Sequence, residues 1–154
     1  VYKRQMKVFD LIGYAITATS PNEALPNQFF LEKDMVVINR DRQLSTAIDL
    51  LNNIEGGYEK PSQPKFNLGG SAVRDKMFEK LEALYNENKI LDHGLEVGKQ
   101  IAFVLSGGNT NIDNELSEDD LYNLELEAFM RLIQMPKTQE RIKHTLETGK
   151  PLVN

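Results

Sequence analysis

The two histidines are the side chains of this sequence best suited to moving protons near neutral pH, because imidazole titrates close to that range. His93 and His144 each have an acidic neighbour, since Asp92 directly precedes the first and Glu147 follows the second by three positions. A catalytic base must also be held against its substrate by further groups, and neither histidine shows such a pattern. We therefore expect both histidines to lie on polar helix surfaces without a catalytic role.

A run of short polar side chains has the spacing of a helix-loop-helix calcium site. Its candidate oxygen ligands are Asn109, Asn111, Asp113, Glu115, Ser117 and Asp120. Such a loop normally has aspartate first, glycine sixth and a bidentate glutamate twelfth, where this sequence has Asn109, Asn114 and Asp120. The shorter carboxylate and the missing glycine predict weak calcium binding at best, and an ordinary polar loop is the simpler interpretation.

Several other chemistries are excluded by patterns that the sequence lacks. No two glycines are separated by a single residue, and no Gly-Lys-Ser or Gly-Lys-Thr occurs, so the dinucleotide fingerprint and the phosphate-binding P-loop are both absent. Gly-x-Ser-x-Gly and His-Glu-x-x-His are absent as well. Because there is no cysteine, thiol catalysis and cysteine-ligated metals are excluded.

The composition is that of an ordinary globular chain. Its 154 residues are 40% hydrophobic and 27% charged, and a chain of this size can bury one core. The net charge of −5 argues against a nucleic acid or an anionic lipid surface as the main partner. No apolar run approaches the roughly 20 residues that span a bilayer. We expect one domain, or a piece of one.

Hydrophobic spacing predicts helices in the first half of the chain, with one strand. The last turns of a helix are predicted over residues 6–13, a short helix follows the Ser20 capping box, and a longer helix covers residues 41–54. The β-branched run 35–38 predicts the single strand. Glycines and prolines over residues 56–70 predict a long connector.

Four amphipathic helices are predicted after the connector, which makes the fold class mainly α. They begin at Ser71, Asp92, Ser117 and Lys137. Gly94 and Gly98 are four residues apart and therefore share one face of the second of these helices. We expect these small residues to let another helix approach closely.

The first five residues, VYKRQ, resemble the translated sequence of a transposase adapter used in DNA sequencing. The natural coding sequence would then begin at Met6 or just after it, and the gene would be cut at its 5′ end. Such scars are left out of fold predictions, so residues 1–5 are excluded here.

Four runs in the second half carry a resemblance to a known family. They are FVLSGG (103–108), LELEAF (124–129), PKTQERI (136–142) and TGKPL (148–152). Together they resemble the C-terminal end of bacterial multifunctional 3-hydroxyacyl-CoA dehydrogenases of fatty-acid β-oxidation, in which an NAD-binding dehydrogenase region comes first and a crotonase-like enoyl-CoA hydratase region comes last. NRDRQL (39–44) and residues 92–98 extend the resemblance, while Val153 and NENK (86–89) depart from the family pattern.

The resemblance implies a domain organisation for this chain. Residues 1–5 would be adapter, residues 6–56 the remnant of a crotonase-like α/β domain that contains the short strand, residues 57–70 the connector, and residues 71–154 an α-helical C-terminal domain.

The resemblance also implies that the chemistry lies elsewhere in the parent protein. The carboxylates and backbone amides of the hydratase, and the His-acid pair and dinucleotide turn of the dehydrogenase, would belong to upstream sequence. We therefore assign no catalytic, cofactor-binding or metal-binding residue to this chain. NAD and the acyl-CoA thioester would be bound by the missing region of a cytoplasmic, homo-oligomeric enzyme that has no nucleic-acid partner and no membrane insertion.

Two functions stay open for the chain itself. Its helices would cover the hydratase core and supply subunit or domain contacts through the face that holds Gly94 and Gly98. The alternative is a free-standing helical interaction module, with weak calcium binding at the helix-loop-helix. In the first case Lys60, Lys65 and Arg74 are the candidates for approaching CoA phosphates.

Overall fold

The computed structural model describes residues 2–54, 56 and 58–154. Within that part of the chain the protein is mainly α, as the sequence predicts. The helices are α1 (Tyr2–Gly13), α2 (Pro21–Ala24), α3 (Gln43–Asn52), α4 (Gly70–Asn86), α5 (Asp92–Ser106), α6 (Glu118–Leu132) and α7 (Pro136–Thr148), and a 3-10 turn over Arg40–Arg42 precedes α3. Two short strands, β1 (Phe66–Asn67) and β2 (Glu115–Leu116), pair antiparallel with Phe66 opposite Leu116.

The strand predicted over residues 35–38 is wrong, because these residues adopt no regular secondary structure. A tight turn closes just before them: Leu31 N donates to Asp34 Oδ2 at 2.7 Å, and Asp34 N donates to the Leu31 carbonyl at 3.0 Å. A β-branched run becomes a strand only where a neighbouring strand can pair with it. The run over residues 35–38 forms no pairing with another described segment.

The chain divides into two compact units. The main unit comprises the residues up to Ile16 together with Gln63–Asn154, and the inserted unit comprises Thr17–Ser62. These borders differ from the predicted borders at residues 56 and 70. The reason lies in the main unit, where α1 packs against α4 and α5 although it precedes them by more than fifty residues.

The core of the main unit lies where α1, α4 and α5 meet. Its buried side chains are Phe9, Val73, Met77, Leu81 and Ala102. The α6 helix also packs against α5, and its Ala128 is buried. Three apolar residues of the amphipathic helix α4, namely Val73, Met77 and Leu81, thus belong to the core, whereas its Tyr85 is exposed.

Residues 2–5 belong to α1, so their exclusion from the fold is wrong. Gln5 is buried, its Nε2 donates to the Leu105 carbonyl at 2.8 Å, and its Oε1 accepts a hydrogen bond from Gly69 N at 3.4 Å. One side chain therefore ties α1 to the end of α5 and to the beginning of α4. Residues four apart share a helix face, and Gln5 precedes the buried Phe9 by four.

The close helix approach predicted at the two glycines of α5 is present at one of them. A Cβ added to Gly98 would lie 2.5 Å from Leu81 Cδ2, whereas a Cβ on Gly94 would meet only Ile90, at 3.6 Å. The helix that approaches Gly98 is α4 of the same chain. This contact therefore serves the core of the main unit.

Candidate functional site

His93 is the one buried titratable side chain among the described residues, with 4% of its surface exposed. It is the second residue of α5, and its Nε2 lies 2.9 Å from Thr138 Oγ1 on α7. The prediction of a polar surface position is therefore wrong for His93. His144 lies on α7 and is half-buried, so the structure does not bring the two histidines to a common environment.

The surroundings of His93 favour its neutral form. Burial lowers the pKa of His93 below the ordinary value of 6.5, and the positive charges of Arg141 and Lys137 lower it further, while Glu96 and Glu140 act in the opposite direction. Its hydrogen-bond partner is a hydroxyl group rather than a carboxylate that would orient and charge it. The contact between the His93 imidazole and the Thr138 hydroxyl joins α5 to α7.

The stability of the chain should therefore fall as the pH falls below about 6.5. The unfolded chain takes up a proton on His93 near pH 6.5, while the folded chain takes it up only at lower pH. The stabilisation is thus complete above the unfolded pKa and is lost as the pH falls toward the folded pKa. Urea unfolding at about pH 7.5 and about pH 5.5 measures this difference.

Two single variants assign that pH dependence to one histidine. His93→Gln should unfold at a lower urea concentration at the higher pH and should show a smaller difference between the two pH values. His144→Gln should keep the pH dependence of the unchanged chain. If His93→Gln kept the full pH dependence, the buried neutral imidazole would not be its source.

Arg141 on α7, which the sequence did not single out, binds the last residue of the chain. Arg141 donates from Nε to Asn154 Oδ1 at 2.8 Å and from Nη2 to the Asn154 main-chain oxygen at 3.3 Å. Asn154 Nδ2 donates in turn to the Lys137 carbonyl at 3.2 Å and to Glu140 Oε2 at 2.9 Å. Residues 149–154 are thereby held back against α7. No spacing rule relates a side chain on a helix to a segment after it, so sequence reasoning missed this contact.

Two asparagine side chains of the calcium-like loop accept hydrogen bonds from other groups of the protein. Asn109 Oδ1 accepts from Arg74 Nη1 at 3.3 Å, and Asn111 Oδ1 accepts from Asp113 N at 3.0 Å. The described part of the chain contains no group of three or more histidine, aspartate or glutamate side chains placed to hold a metal ion. Weak calcium binding at this loop stays a prediction.

The twelfth position of that loop caps α6. Ser117 is the N-cap, its Oγ accepts from Asp120 N at 3.2 Å, and Asp120 Oδ2 accepts from Ser117 N at 2.8 Å and from Ser117 Oγ at 2.7 Å. These hydrogen bonds lower the pKa of Asp120, and Lys65 adds a small effect in the same direction. The helix start predicted at Ser117 is confirmed. The capping box that the structure shows there occupies the carboxylate that a metal would need.

Loss of this cap has a measurable cost. Ser117→Ala should lower the free energy of unfolding by about 1 kcal/mol, because a backbone N–H at the start of α6 loses its acceptor. Ser71→Ala is the matched control, since Ser71 is exposed in the first turn of α4 but is not its N-cap; we expect a change within about 0.5 kcal/mol. Equal effects of the two variants in urea unfolding would contradict the capping role.

The basic candidates for CoA phosphates belong to different units of the chain. Arg74 Nη1 donates to the Gly108 carbonyl at 3.1 Å, which binds α4 to the end of α5. Lys60 belongs to the inserted unit and Lys65 to the main unit, and both are exposed. Their approach to a CoA phosphate stays a prediction.

Three glycines at the ends of α4 and α5 are covered by other parts of the main unit. Gly107 and Gly108 end α5 at φ values of +87° and +64°, and a Cβ on Gly107 would lie 2.6 Å from Thr110 Cγ2. Gly70, at φ +59°, faces the Thr110 carbonyl. A phosphate-binding turn keeps its glycine backbone open to the ligand ahead of a helix, whereas these glycines are covered by the chain itself.

Two concave surfaces of the main unit lie beside its core helices. A cavity of about 180 Å³ is lined by residues of α1, α4 and α5, including the ion pair between Lys80 and Asp10. Ligand sites usually measure roughly 300–1,000 Å³. An open groove of about 360 Å³ between α1, α5 and α6 is lined mostly by apolar side chains, among them Val104 and Phe129. Neither concavity contains a histidine.

Comparison with known proteins gives one significant relative. A curated protein of Bacillus subtilis strain 168, described as a probable 3-hydroxyacyl-CoA dehydrogenase, is 30% identical to this chain over 150 residues. The matched region is 97% of this chain and 19% of the Bacillus protein, so the chain spans about one fifth of its relative's length. No family model and no solved structure matches the chain. Among the described residues, no helix is long and apolar enough to cross a membrane.

Proposed function

We propose that this chain is a non-catalytic, structural segment from the C-terminal end of a longer 3-hydroxyacyl-CoA dehydrogenase of fatty-acid β-oxidation. The observation that carries the proposal is the similarity to the Bacillus dehydrogenase along 97% of the chain. Because the match takes up only 19% of that relative, the proposal assigns the reaction to the remaining sequence.

Two polar side chains, His93 and Arg74, make hydrogen bonds within the fold, and this supports a structural role. His93 is enclosed and bonded to Thr138. Arg74 is bonded to the Gly108 carbonyl, and the side chain of Leu124 approaches the same glycine. An active site would need the imidazole of His93 or the guanidinium of Arg74 free to contact a substrate.

The finer features remain predictions of the longer protein. They are its use of NAD, its acyl-CoA thioester substrate, a crotonase-like enoyl-CoA hydratase region, assembly into a homo-oligomer and a cytoplasmic location. In this proposal the chain contributes none of the groups that carry out the chemistry. It completes the folded protein that holds them.

A chimera tests the proposal directly. The segment of the Bacillus relative that matches this chain is replaced by the full 154 residues, and the purified protein is assayed for NADH formation from a 3-hydroxyacyl-CoA. We expect a kcat/KM within about tenfold of the unmodified relative, a difference of about 1.4 kcal/mol in transition-state stabilisation. A relative from which the segment is simply deleted should lose solubility or activity.

Two controls define the outcomes. His93→Gln in the chimera should leave kcat/KM within about threefold, because an effect below about 1 kcal/mol is expected of a group that does not touch the substrate. A chimera that folds but forms no NADH would overturn the proposal. Turnover by the isolated 154-residue chain would overturn its non-catalytic part.

A further inference from the structure

The inserted unit, Thr17–Ser62, exposes most of its large apolar side chains. Among its described residues Ala24 is the only buried one. Large apolar groups that stand open include Phe29 (48% exposed), Met35 (59%) and Ile38 (97%). A polypeptide of this length rarely folds stably without burying such groups, so this unit needs a partner surface.

The α3 helix gives that partner surface a definite shape. Leu44, Ile48 and Leu51 are spaced by four and three residues, which places them along one face of the helix. Their side chains are 72%, 49% and 68% exposed. We name these three residues the α3 stripe. Amphipathic helices that lay such a stripe into a groove are a common mode of protein recognition.

We infer that the α3 stripe is the docking surface of this segment on the remaining part of the dehydrogenase polypeptide. The inference rests on the proposed function. Its first support is the length of chain that must lie outside this segment, since the Bacillus relative is about five times as long as the region it shares. In the proposed longer protein, the sequence outside this segment is about four times as long as the segment, and it is the surface that we expect to cover the α3 stripe.

The charge of the inserted unit favours a protein partner over a lipid surface. Residues 17–62 contain four Lys and Arg against seven Asp and Glu. Helices that bind membrane surfaces carry lysine and arginine on the polar face, whereas α3 contains neither and has Asp49 as its one charged residue. A helix that is apolar along one face and contains no basic residue fits a folded protein surface better than an anionic lipid surface.

Hydrogen exchange measures the docking. The backbone amides of α3 are compared between the isolated 154-residue chain and the chimera with the Bacillus relative. We expect α3 to exchange at least about tenfold more slowly in the chimera, because a covered helix opens less often. Amides of α4, which the main unit already buries, serve as the internal reference.

A pair of variants with equal charge changes tests the stripe. Leu44→Glu with Ile48→Glu should abolish the protection of α3 in the chimera and lower its thermal midpoint by several degrees. Gln43→Glu with Ser45→Glu adds the same two charges to the same helix outside the stripe, and it should leave protection and midpoint unchanged. Equal loss of protection in both pairs would overturn the assignment to the stripe.

The outcomes separate this inference from the proposed function. An active chimera in which α3 exchanges as fast as in the isolated chain overturns the docking alone. If the α3 amides exchange equally slowly in the isolated chain and in the chimera, residues of the chain itself cover the α3 stripe. If the protection of the α3 amides rises with the concentration of the isolated chain, a second copy of the chain covers the stripe. Either of these two results overturns the inference. A folded but inactive chimera counts against the proposed function.

Discussion

Phe9→Ala should lower the free energy of unfolding by about 3–5 kcal/mol, the usual range for removing a buried phenylalanine side chain. Phe9 is 4% exposed and packs in the cluster that joins α1 to α4 and α5. Whole-domain stabilities are about 5–15 kcal/mol, so this one substitution would remove a large share of the total. Urea unfolding followed by circular dichroism measures the change.

The same substitution at an exposed site supplies the control. Phe129 lies on α6 and is 47% exposed, and Phe129→Ala should cost less than about 1.5 kcal/mol because little apolar area returns to water. If Phe9→Ala were no more costly than Phe129→Ala, α1 would not belong to the core. The test therefore also decides whether the N-terminal helix is an integral part of the fold.

Gly70→Ala is the second substitution expected to have a large effect, lowering the free energy of unfolding by about 2–4 kcal/mol. Two costs combine at this position. Gly70 has a φ of +59°, where an L-residue is strained, and an added Cβ would collide with the carbonyl oxygen of Thr110. Because that oxygen is backbone, it cannot move aside as the end of a flexible side chain would. Thermal and urea unfolding both report the loss.

Gly149→Ala separates these two costs. Gly149 ends α7 at a similar φ of +68°, but no atom would lie within 4 Å of its Cβ. We expect a loss of about 1 kcal/mol from the backbone conformation alone. A Gly70→Ala effect equal to that of Gly149→Ala would mean that the contact with Thr110 relaxes without cost.

The helices of the main unit could be predicted from the sequence because their signals are local. The start of α6 at Ser117 is as predicted, and its N-cap hydrogen bonds are made within four residues. The start of α4 was placed at Ser71, one residue after the observed Gly70. Apolar residues spaced three and four apart within one segment predict both that the segment is a helix and which of its faces is buried.

The features that the sequence did not reveal depend on distant partners. The run over residues 35–38 has strand propensity but no strand beside it, whereas β1 and β2 pair across 48 or more residues. His93 is buried because Thr138 on another helix covers it, and Gln5 is buried because Gly69 and Leu105 lie next to it. Propensity contains no information on such contacts.

The functional prediction depended on short sequence runs rather than on reactive side chains. The resemblance to a 3-hydroxyacyl-CoA dehydrogenase agrees with the similarity to the Bacillus protein. Histidine spacing gave no warning that His93 would be enclosed, and the loop between α5 and α6 resembled a metal site although Asp120 caps a helix. Asp120 occupies the twelfth position of the calcium-like loop, which is a ligand position. In the structure the same carboxylate accepts hydrogen bonds at the start of α6.

The main unit is assembled from the two sides of the insertion, and this has a consequence for its synthesis on the ribosome. The α1 helix leaves the exit tunnel more than fifty residues before α4 begins. At about 5–20 residues per second, its apolar face waits several seconds for the helices that will cover it. Nascent chains of this protein should therefore bind chaperones that cover apolar segments at the ribosome until translation has passed α5.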